Sequence, residues 1–243
     1  MYRFCIAFSL AAASVLSAQT PTAGSIIQRA RTTVGPEPAL GDIVTLRIEG
    51  RVQPQDSKLM PAKVVLTARK PCSQRLEIYV DDIVETTILH GGEAVVIRAH
   101  EQEGLGQMRP LSQTERECLE QSTRNLFNFY TPDNKHGENA SYAGIAKHRG
   151  QICDVIVYNR PGRTKTLRYF SRKEAKLVAT IKEVSGEQVE VVEDGDLYVN
   201  GIRFPRAQLY FQDKQPLHRM EVDKVLVNSV LEEGIFDIPE QKK

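Results

Sequence analysis

The stretch that decides the fold spans residues 196–239 and reads DLYVNGIRFPRAQLYFQDKQPLHRMEVDKVLVNSVLEEGIFDIP. Two runs with the alternation of a β-strand, Ala207–Phe211 and Leu217–Val227, flank the polar turn Asp213-Lys-Gln-Pro216. A further strand is predicted over 196–203, and a short capped segment ends in Phe236-Asp-Ile-Pro239. We expect Phe236 to dock this segment onto a sheet. The upstream chain reads as further strands of the same sheet.

Alternation of apolar and polar residues with a period of two predicts those strands. In residues 44–52 the apolar positions are Val44, Leu46, Ile48 and Val52, which predicts one buried and one wet face. Further strands are predicted over 61–70, 75–80, 83–89, 94–99, 152–158, 164–170, 175–184 and 188–193. Residues 90–93 and 159–162 read as hairpin turns, and Asp194-Gly-Asp196 reads as a solvated turn.

Two segments are predicted to be helical. Residues 20–35 carry Thr20 as N-cap, Pro21 in the first turn and an apolar face of Ile26, Ile27, Ala30 and Val34. Ser112-Gln-Thr-Glu115 is a capping box that starts a second helix, which Pro132 is expected to end. Its apolar face is formed by Leu119, Leu126, Phe127 and Tyr130. Residues 131–141 are predicted to be a polar loop.

Roughly ten or eleven strands and two helices therefore follow from the patterns. Helices and strands do not alternate regularly, which excludes a doubly wound α/β fold. The patterns favour a large antiparallel sheet, curled or closed, in a single domain over residues 20–243. Such a sheet has an apolar inner face, which is either filled as an ordinary core or left open as a cavity for an apolar ligand.

The first eighteen residues have the pattern of a cleaved signal peptide. Arg3 precedes a short apolar run over 4–16, and cleavage is expected after Ser17 or Ala18. The sequence therefore predicts a soluble exported protein. Three cysteines remain, Cys72, Cys118 and Cys153; export permits a disulfide, and the pairing stays open.

Composition and motifs argue against several function classes. The 32 basic and 31 acidic residues nearly balance, so nucleic acid and anionic membrane surfaces are not expected partners. Phosphate loops, Cys-x-x-Cys, His-Glu-x-x-His and Gly-x-Ser-x-Gly motifs are absent from the sequence, and the five histidines have no ligand spacing. The sequence predicts no catalytic residue, no metal and no cofactor.

Three stretches resemble the LolA/LolB-like superfamily, and more narrowly the bacterial outer-membrane lipoprotein-sorting proteins. The first is residues 50–75, where a strand runs into Arg69-Lys70-Pro71. The second is His90-Gly-Gly-Glu-Ala-Val-Val96, which resembles the family's glycine-tipped hairpin. The third is the ending, with Asn200-Gly-Ile-Arg-Phe-Pro205, Val225-Leu-Val-Asn228 and Phe236-Asp-Ile-Pro239. The resemblance covers residues 25–239.

The resemblance implies an unclosed β-barrel whose mouth is covered by two helices. Its cavity would receive the acyl chains of lipids or lipoproteins in the periplasm, with a membrane protein as a second candidate partner and the chain as a monomer. An Arg before Pro latches the lid in this family; Lys70 stands there in this chain, and Arg69 is its neighbour. A point charge on Lys does not repeat the bidentate geometry of Arg.

On this hypothesis the cavity and the lid are lined by Val44, Leu46, Ile48, Val64, Leu66, Leu76, Ile78, Leu119, Leu126, Phe127 and Tyr130. Polar segments flank the second helix, at residues 100–107 and 131–141, which suits a movable lid. The alternative is a protein-interaction or envelope-stress sensing module on the same scaffold, with a packed interior.

Overall fold

A computed structural model describes residues 21–100, 106–162, 165–184 and 186–240. The predicted signal peptide and Thr20 lie outside these residues. The strands are β1 (Thr45–Pro54), β2 (Ala62–Arg69), β3 (Ser73–Val80), β4 (Ile83–His90), β5 (Glu93–His100), β6 (Gln107–Pro110), β7 (Asn139–His148), β8 (Gln151–Asn159), β9 (Thr166–Ser171), β10 (Leu177–Val184), β11 (Glu187–Val199), β12 (Ile202–Gln212) and β13 (Gln215–Val227). The helices are α1 (Ala23–Val34), α2 (Glu37–Gly41) and α3 (Gln113–Asn128), and Asn134–His136 forms a 3-10 turn.

All thirteen strands belong to one antiparallel sheet in the order β6-β5-β4-β3-β2-β1-β13-β12-β11-β10-β9-β8-β7. Neighbouring strands are consecutive in the chain except β1 and β13, so the first and last strands meet in the middle. Strands β6 and β7 are the two edges, and the sheet is not closed into a barrel. This confirms the predicted unclosed antiparallel sheet. Among the described helices, none is long and apolar enough to cross a membrane.

Among the described residues, four hairpin turns place both central residues at positive φ, as type I′ turns require. They are Gly91-Gly92, Arg149-Gly150, Asn200-Gly201 and Asp213-Lys214. The predicted turn at residues 194–196 is wrong, because β11 continues through Gly195 at φ +66° and ends at Val199. The predicted strand over 196–203 is also wrong, because the chain reverses at Asn200-Gly201 between β11 and β12. Asn-Gly and Asp-Gly are both strong hairpin signals, so the local sequence did not decide between Asn200-Gly201 and Asp194-Gly195.

The strand count of ten or eleven was too low. Strand β6 has only four residues, too few for alternation to be recognised. Strand β7 begins at Asn139, inside the predicted polar loop over 131–141. Its alternating positions are filled by small residues such as Ala140 and Gly144, which give a weak hydrophobic pattern.

Helix α1 buries the face that the sequence predicted, formed by Ile26, Ile27, Ala30 and Val34. Its start was predicted too early. Thr22 is the N-cap, because its hydroxyl accepts from the amide of Ser25 and the Ser25 hydroxyl accepts from the amide of Thr22. The short helix α2 was not predicted.

Helix α3 begins with the predicted capping box of Ser112 and Glu115. It ends earlier than predicted, since Phe129 and Tyr130 adopt positive φ angles of 41° and 73°. Tyr130 therefore lies beyond the helix. The fully buried side chains of α3 are Thr123 and Phe127.

Two core clusters lie between the helices and the sheet. One surrounds Leu40, Leu46 and Phe127, and the other joins α1 to Ile156 and Phe170. A third cluster, formed by Ile88, Val95 and Ile97, packs against Ile238.

The third cluster lies on the face of the sheet that is turned away from α3. Gln74 contacts α3 and pairs with Leu89, so both side chains lie on the α3 face. Ile88 is the neighbour of Leu89 in β4 and therefore points to the other face. Phe236 is 2% exposed, and its ring packs between His90 and the Arg69 guanidinium. The expected docking of the C-terminal segment through Phe236 is confirmed.

Candidate functional site

Strand register brings most of the predicted cavity residues together. Ile48 pairs with Leu66, Leu66 pairs with Leu76, and Val64 pairs with Ile78. Alternate side chains of a strand share a face. One face of β1, β2 and β3 therefore carries a continuous apolar surface, the sheet patch, formed by Leu46, Ile48, Val64, Leu66, Leu76 and Ile78.

The sheet patch is only partly covered. Leu46 and Val64 are buried, whereas Ile48, Leu66, Leu76 and Ile78 are half-buried. Val44 does not belong to it, since it precedes β1 and is 52% exposed. Its amide donates to Asn228 Oδ1 at 2.7 Å, a bond that joins the start of β1 to the end of β13.

Helix α3 lies over this face of the sheet. The Thr123 hydroxyl is 3.0 Å from Oε1 of Gln74, whose side chain is on the same face as Leu76. Phe127 is buried in the core cluster that includes Leu46, and Leu126 packs against that cluster while half-buried. Leu119 is also half-buried.

The N-terminal end of α3 is held by charged and polar contacts. Arg109 donates to both carboxylate oxygens of Glu115 at 3.1 Å. The Arg109 bonds, followed by those from Ser112, lower the pKa of Glu115 to about 2. Arg116 Nη1 donates to the carbonyl of Gly92 at 3.0 Å and joins the helix to the β4–β5 turn.

The C-terminal end of α3 is held by α1 and β8. Arg31 Nη1 donates to the carbonyls of Asn128 at 2.6 Å and Phe129 at 3.0 Å at the end of the helix, and the Asn128 carbonyl also accepts from the Thr131 amide at 2.9 Å. The Tyr158 hydroxyl donates to the carbonyl of Tyr130 at 2.6 Å. Burial raises the pKa of the Tyr130 hydroxyl, so it stays protonated.

Lys70 and Arg69 act on opposite faces of the sheet. Lys70 Nζ donates to the carbonyl of Gly41 at 3.0 Å and lies 5.6 Å from the ring centroid of Phe127. Partial burial lowers the pKa of Lys70. The guanidinium of Arg69 lies 4.9 Å from the ring centroid of Phe236. Lys70 is thus the residue of this pair that contacts α2 and α3.

Sequence reasoning missed a polar pocket of about 300 Å³. Its walls are the β7–β8 turn, the β9–β10 connection and β11 near Gly195, and Arg203 of β12 lines it. Arg203 is 4% exposed and lies between the buried Ile202 and Phe204. The sequence did contain one signal for this pocket, namely a basic residue between two apolar residues of a strand. If such a residue is buried, its charge requires partners nearby.

Buried carboxyl groups shape the electrostatics of this pocket. Burial raises the pKa of Glu193, and the nearby Arg203 opposes that shift only in part. Burial acts on Asp196 in the same direction, but bonds from Lys176 and Arg203 outweigh it and lower the pKa of Asp196. In the described part of the chain, no group of three or more His, Cys, Asp or Glu side chains is arranged to hold a metal ion.

Comparison with known proteins identifies the fold. No family model and no curated protein sequence matches the chain. An outer membrane lipoprotein-sorting protein domain from Vibrio parahaemolyticus superposes with a TM-score of 0.58 at 8% identity, over 87% of this chain and 95% of that one. A LolA superfamily protein from Nitrosomonas europaea gives 0.59 at 13% identity, over 89% and 98%.

A third structure, a DUF1329 family protein from Desulfovibrio piger, gives a TM-score of 0.61 at 8% identity, over 90% of this chain and 98% of that one. These three superpositions include nearly the whole length of each known structure. The chain has a LolA-like fold.

Proposed function

We propose that the chain is a non-enzymatic periplasmic binding protein for acyl chains of lipids or lipoproteins. The acyl chain would lie on the sheet patch, beneath and beside α3. One observation carries the proposal: four apolar side chains of this patch, Ile48, Leu66, Leu76 and Ile78, remain half-exposed in the folded chain. Water contact at such a surface is unfavourable, and each methylene that a ligand buries contributes about 0.8 kcal/mol.

The contacts of α3 suit a lid. Thr123 and Phe127 are its only fully buried side chains, and both of its ends are held by hydrogen bonds and ion pairs. The exposed Arg109–Glu115 ion pair at the N-terminal end contributes only about 0–1 kcal/mol, so this end of α3 can move more readily than the C-terminal end, which Arg31 holds. Lys70 would stabilise the closed position through Gly41 and Phe127.

The likeness to an outer membrane lipoprotein-sorting protein domain supports the same substrate class and an exported location. The predicted signal peptide of residues 1–18 supports export independently.

The test is the binding of a fluorescent acyl probe by the purified protein, together with mass spectrometry of lipid extracted from it. We expect saturable probe binding. Leu76→Lys, which places a charge in the sheet patch, should weaken it at least about tenfold because the charge would have to be buried against the chain. Ile152→Lys is the matched control, since Ile152 is exposed on β8. Absence of both bound lipid and probe uptake would contradict the proposal.

A second candidate is a protein-interaction or envelope-stress sensing module with a packed interior. The burial of Leu46, Val64 and Phe127 favours it, because these three predicted cavity residues already contribute to the core. Leu126→Asp separates the two candidates. The carrier model expects loss of probe binding by a protein that stays folded, whereas the packed-core model expects mainly a loss of stability.

A further inference from the structure

The polar pocket lies apart from the sheet patch. Its walls include Gln151 in β8, Glu174 and Lys176 in the β9–β10 connection and Asp196 in β11, which contains Gly195 at φ +66°. A glycine inside a strand often marks a bend or a close approach to the backbone. The sheet patch belongs to β1, β2 and β3, so an occupant of the pocket would not compete with an acyl chain there.

Arg203 is buried in this pocket with weak hydrogen bonds. Its Nη1 lies 3.3 Å from Glu193 Oε2 and 3.2 Å from Asp196 Oδ1, and its Nη2 lies 3.4 Å from the Tyr130 hydroxyl. Charge-assisted bonds between guanidinium and carboxylate are normally about 2.7–2.9 Å long. Its Nε is buried and makes no hydrogen bond to any described residue. A guanidinium has five N–H donors. In Arg203 the Nε–H donor has no partner, and the hydrogen bonds of Nη1 and Nη2 are long.

The groups beside Arg203 stabilise its charge: burial acts to lower the pKa of Arg203, but Tyr130, Glu193 and Asp196 outweigh burial and raise that pKa. Burial raises the pKa of Glu193, which disfavours the anionic form of that partner. Asp196 divides its charge between Arg203 and Lys176, whose ammonium lies 2.5 Å from Asp196 Oδ2. An ammonium has three donors, so Lys176 keeps hydrogen-bonding capacity beyond this contact. The unpartnered Nε of Arg203 and the remaining donors of Lys176 are therefore what an added anionic acceptor would contact.

The rest of the pocket wall is mixed: Leu177, Val178 and Val192 are apolar, and Arg149 is basic and pairs with Glu190. Gln151 and Glu174 are exposed at the rim, and both can bond to hydroxyl groups. We propose that the pocket is a second binding site, for a small hydroxylated carboxylate, with its carboxylate on Arg203 and Lys176 and its hydroxyls toward Gln151 and Glu174. Hydroxy acids and uronic acids belong to this class.

Titration calorimetry of the whole protein with three hexose derivatives tests the charge requirement. Glucuronate, glucose and glucosamine share a ring and differ at single substituents, carrying negative, no and positive charge respectively. We expect saturable binding of glucuronate, at least about tenfold tighter than that of glucose, since only glucuronate offers a carboxylate to the charged donors. Glucosamine should not bind. Equal binding of glucuronate and glucose, or no binding of either, would overturn the proposal.

Variants locate the site. Lys176→Met keeps the length of the side chain and should weaken glucuronate binding about tenfold. Lys182→Met, in β10 but outside the pocket, should change the affinity for glucuronate by less than about twofold. Arg203→Met should abolish binding, and circular dichroism establishes whether that variant folds. If Lys176→Met binds glucuronate like Lys182→Met, the assigned site is wrong regardless of how Arg203→Met behaves.

Discussion

Thr123 lies in the middle of α3 and is completely buried. Its hydroxyl is 3.0 Å from Oε1 of Gln74 and 2.7 Å from the carbonyl of Leu119. Thr123→Val keeps the shape of the side chain but removes the bond to the buried Gln74. We expect the free energy of unfolding to fall by about 1–3 kcal/mol, measured by urea denaturation.

Ser122 is the matched control for this prediction. It is the neighbouring residue of α3, and its hydroxyl also bonds to the carbonyl of Leu119, but the side chain is exposed. Ser122→Ala should change the free energy of unfolding by less than about 0.5 kcal/mol. Equal losses in the two variants would show that the contact with Gln74 contributes nothing.

Glu115 makes stability depend on pH. Its pKa in the folded chain is about 2, below its ordinary value of 4.5, because Arg109 and Ser112 bond to the carboxylate. The unfolded chain therefore binds this proton more readily. The stability that Glu115 contributes is complete above pH 4.5 and is lost as the pH falls toward 2.

Glu115→Gln should therefore lose less stability than the wild type between pH 7 and pH 3. Urea midpoints at the two pH values measure the difference. Glu232→Gln, in the C-terminal segment, should behave like the wild type. A parallel decline of Glu115→Gln and the wild type would contradict the assigned role of the carboxylate.

At the scale of the element, the C-terminal segment over residues 229–240 depends on Phe236. The ring is buried between His90 and Arg69. Phe236→Ala should lower the free energy of unfolding by about 3–5 kcal/mol, measured by thermal denaturation. Val230 of the same segment is 100% exposed, so Val230→Ala should have almost no effect. Similar values for the two variants would rule out Phe236 as the attachment of the segment.

Helix α3 depends on Arg31 at its C-terminal end. Arg31→Met removes the donor to the carbonyls of Asn128 and Phe129; the Asn128 carbonyl then keeps the bond from the Thr131 amide, but the Phe129 carbonyl loses its bond from Arg31. We expect a loss of about 1.5–3 kcal/mol and faster hydrogen–deuterium exchange in the last turn of α3.

Arg51 provides the comparison for Arg31. It pairs with Asp223 at 2.9 Å on the exposed surface, where an ion pair contributes about 0–1 kcal/mol. Arg51→Met should leave exchange in α3 unchanged. Unchanged exchange in Arg31→Met as well would mean that Tyr158 and the sheet hold the end of α3 without Arg31.

At the scale of the whole molecule, the pairing of β1 with β13 joins the two halves of the sheet. The register shifts between Glu49 and Gly50, where a Cβ on Gly50 would lie 2.1 Å from the carbonyl oxygen of Glu221. Gly50→Ala must displace one strand. We expect a loss of about 1–3 kcal/mol or more, seen as a lower midpoint by both circular dichroism and tyrosine fluorescence.

Gly41 is the control for this substitution, since a Cβ there meets no heavy atom within 4 Å. Gly41→Ala should be neutral or slightly stabilising, because alanine reduces the entropy of the unfolded chain. Two separate transitions in Gly50→Ala, one from each half of the sheet, would mean that the halves fold independently.

Local patterns predicted much of this architecture. Alternation predicted β1 to β5, the spacing of Ile26, Ile27, Ala30 and Val34 predicted the buried face of α1, and Ser112 with Glu115 predicted the start of α3. All of these signals are local in the sequence. Alternation and helical spacing follow from the periods of strands and helices, and the capping box joins two residues that are three positions apart. The sheet patch also follows from alternation, once the strands pair.

The sequence by itself determined the class of fold, the helix that lies over the sheet and the docking of Phe236. Only the tertiary structure decided that β1 pairs with β13, that β11 continues through Gly195, and that Arg203 is buried beside Glu193 and Asp196. The reason is physical. Periodicity is a property of adjacent residues, whereas strand order and charge partners depend on residues far apart in the chain, which are brought together only when the sheet assembles.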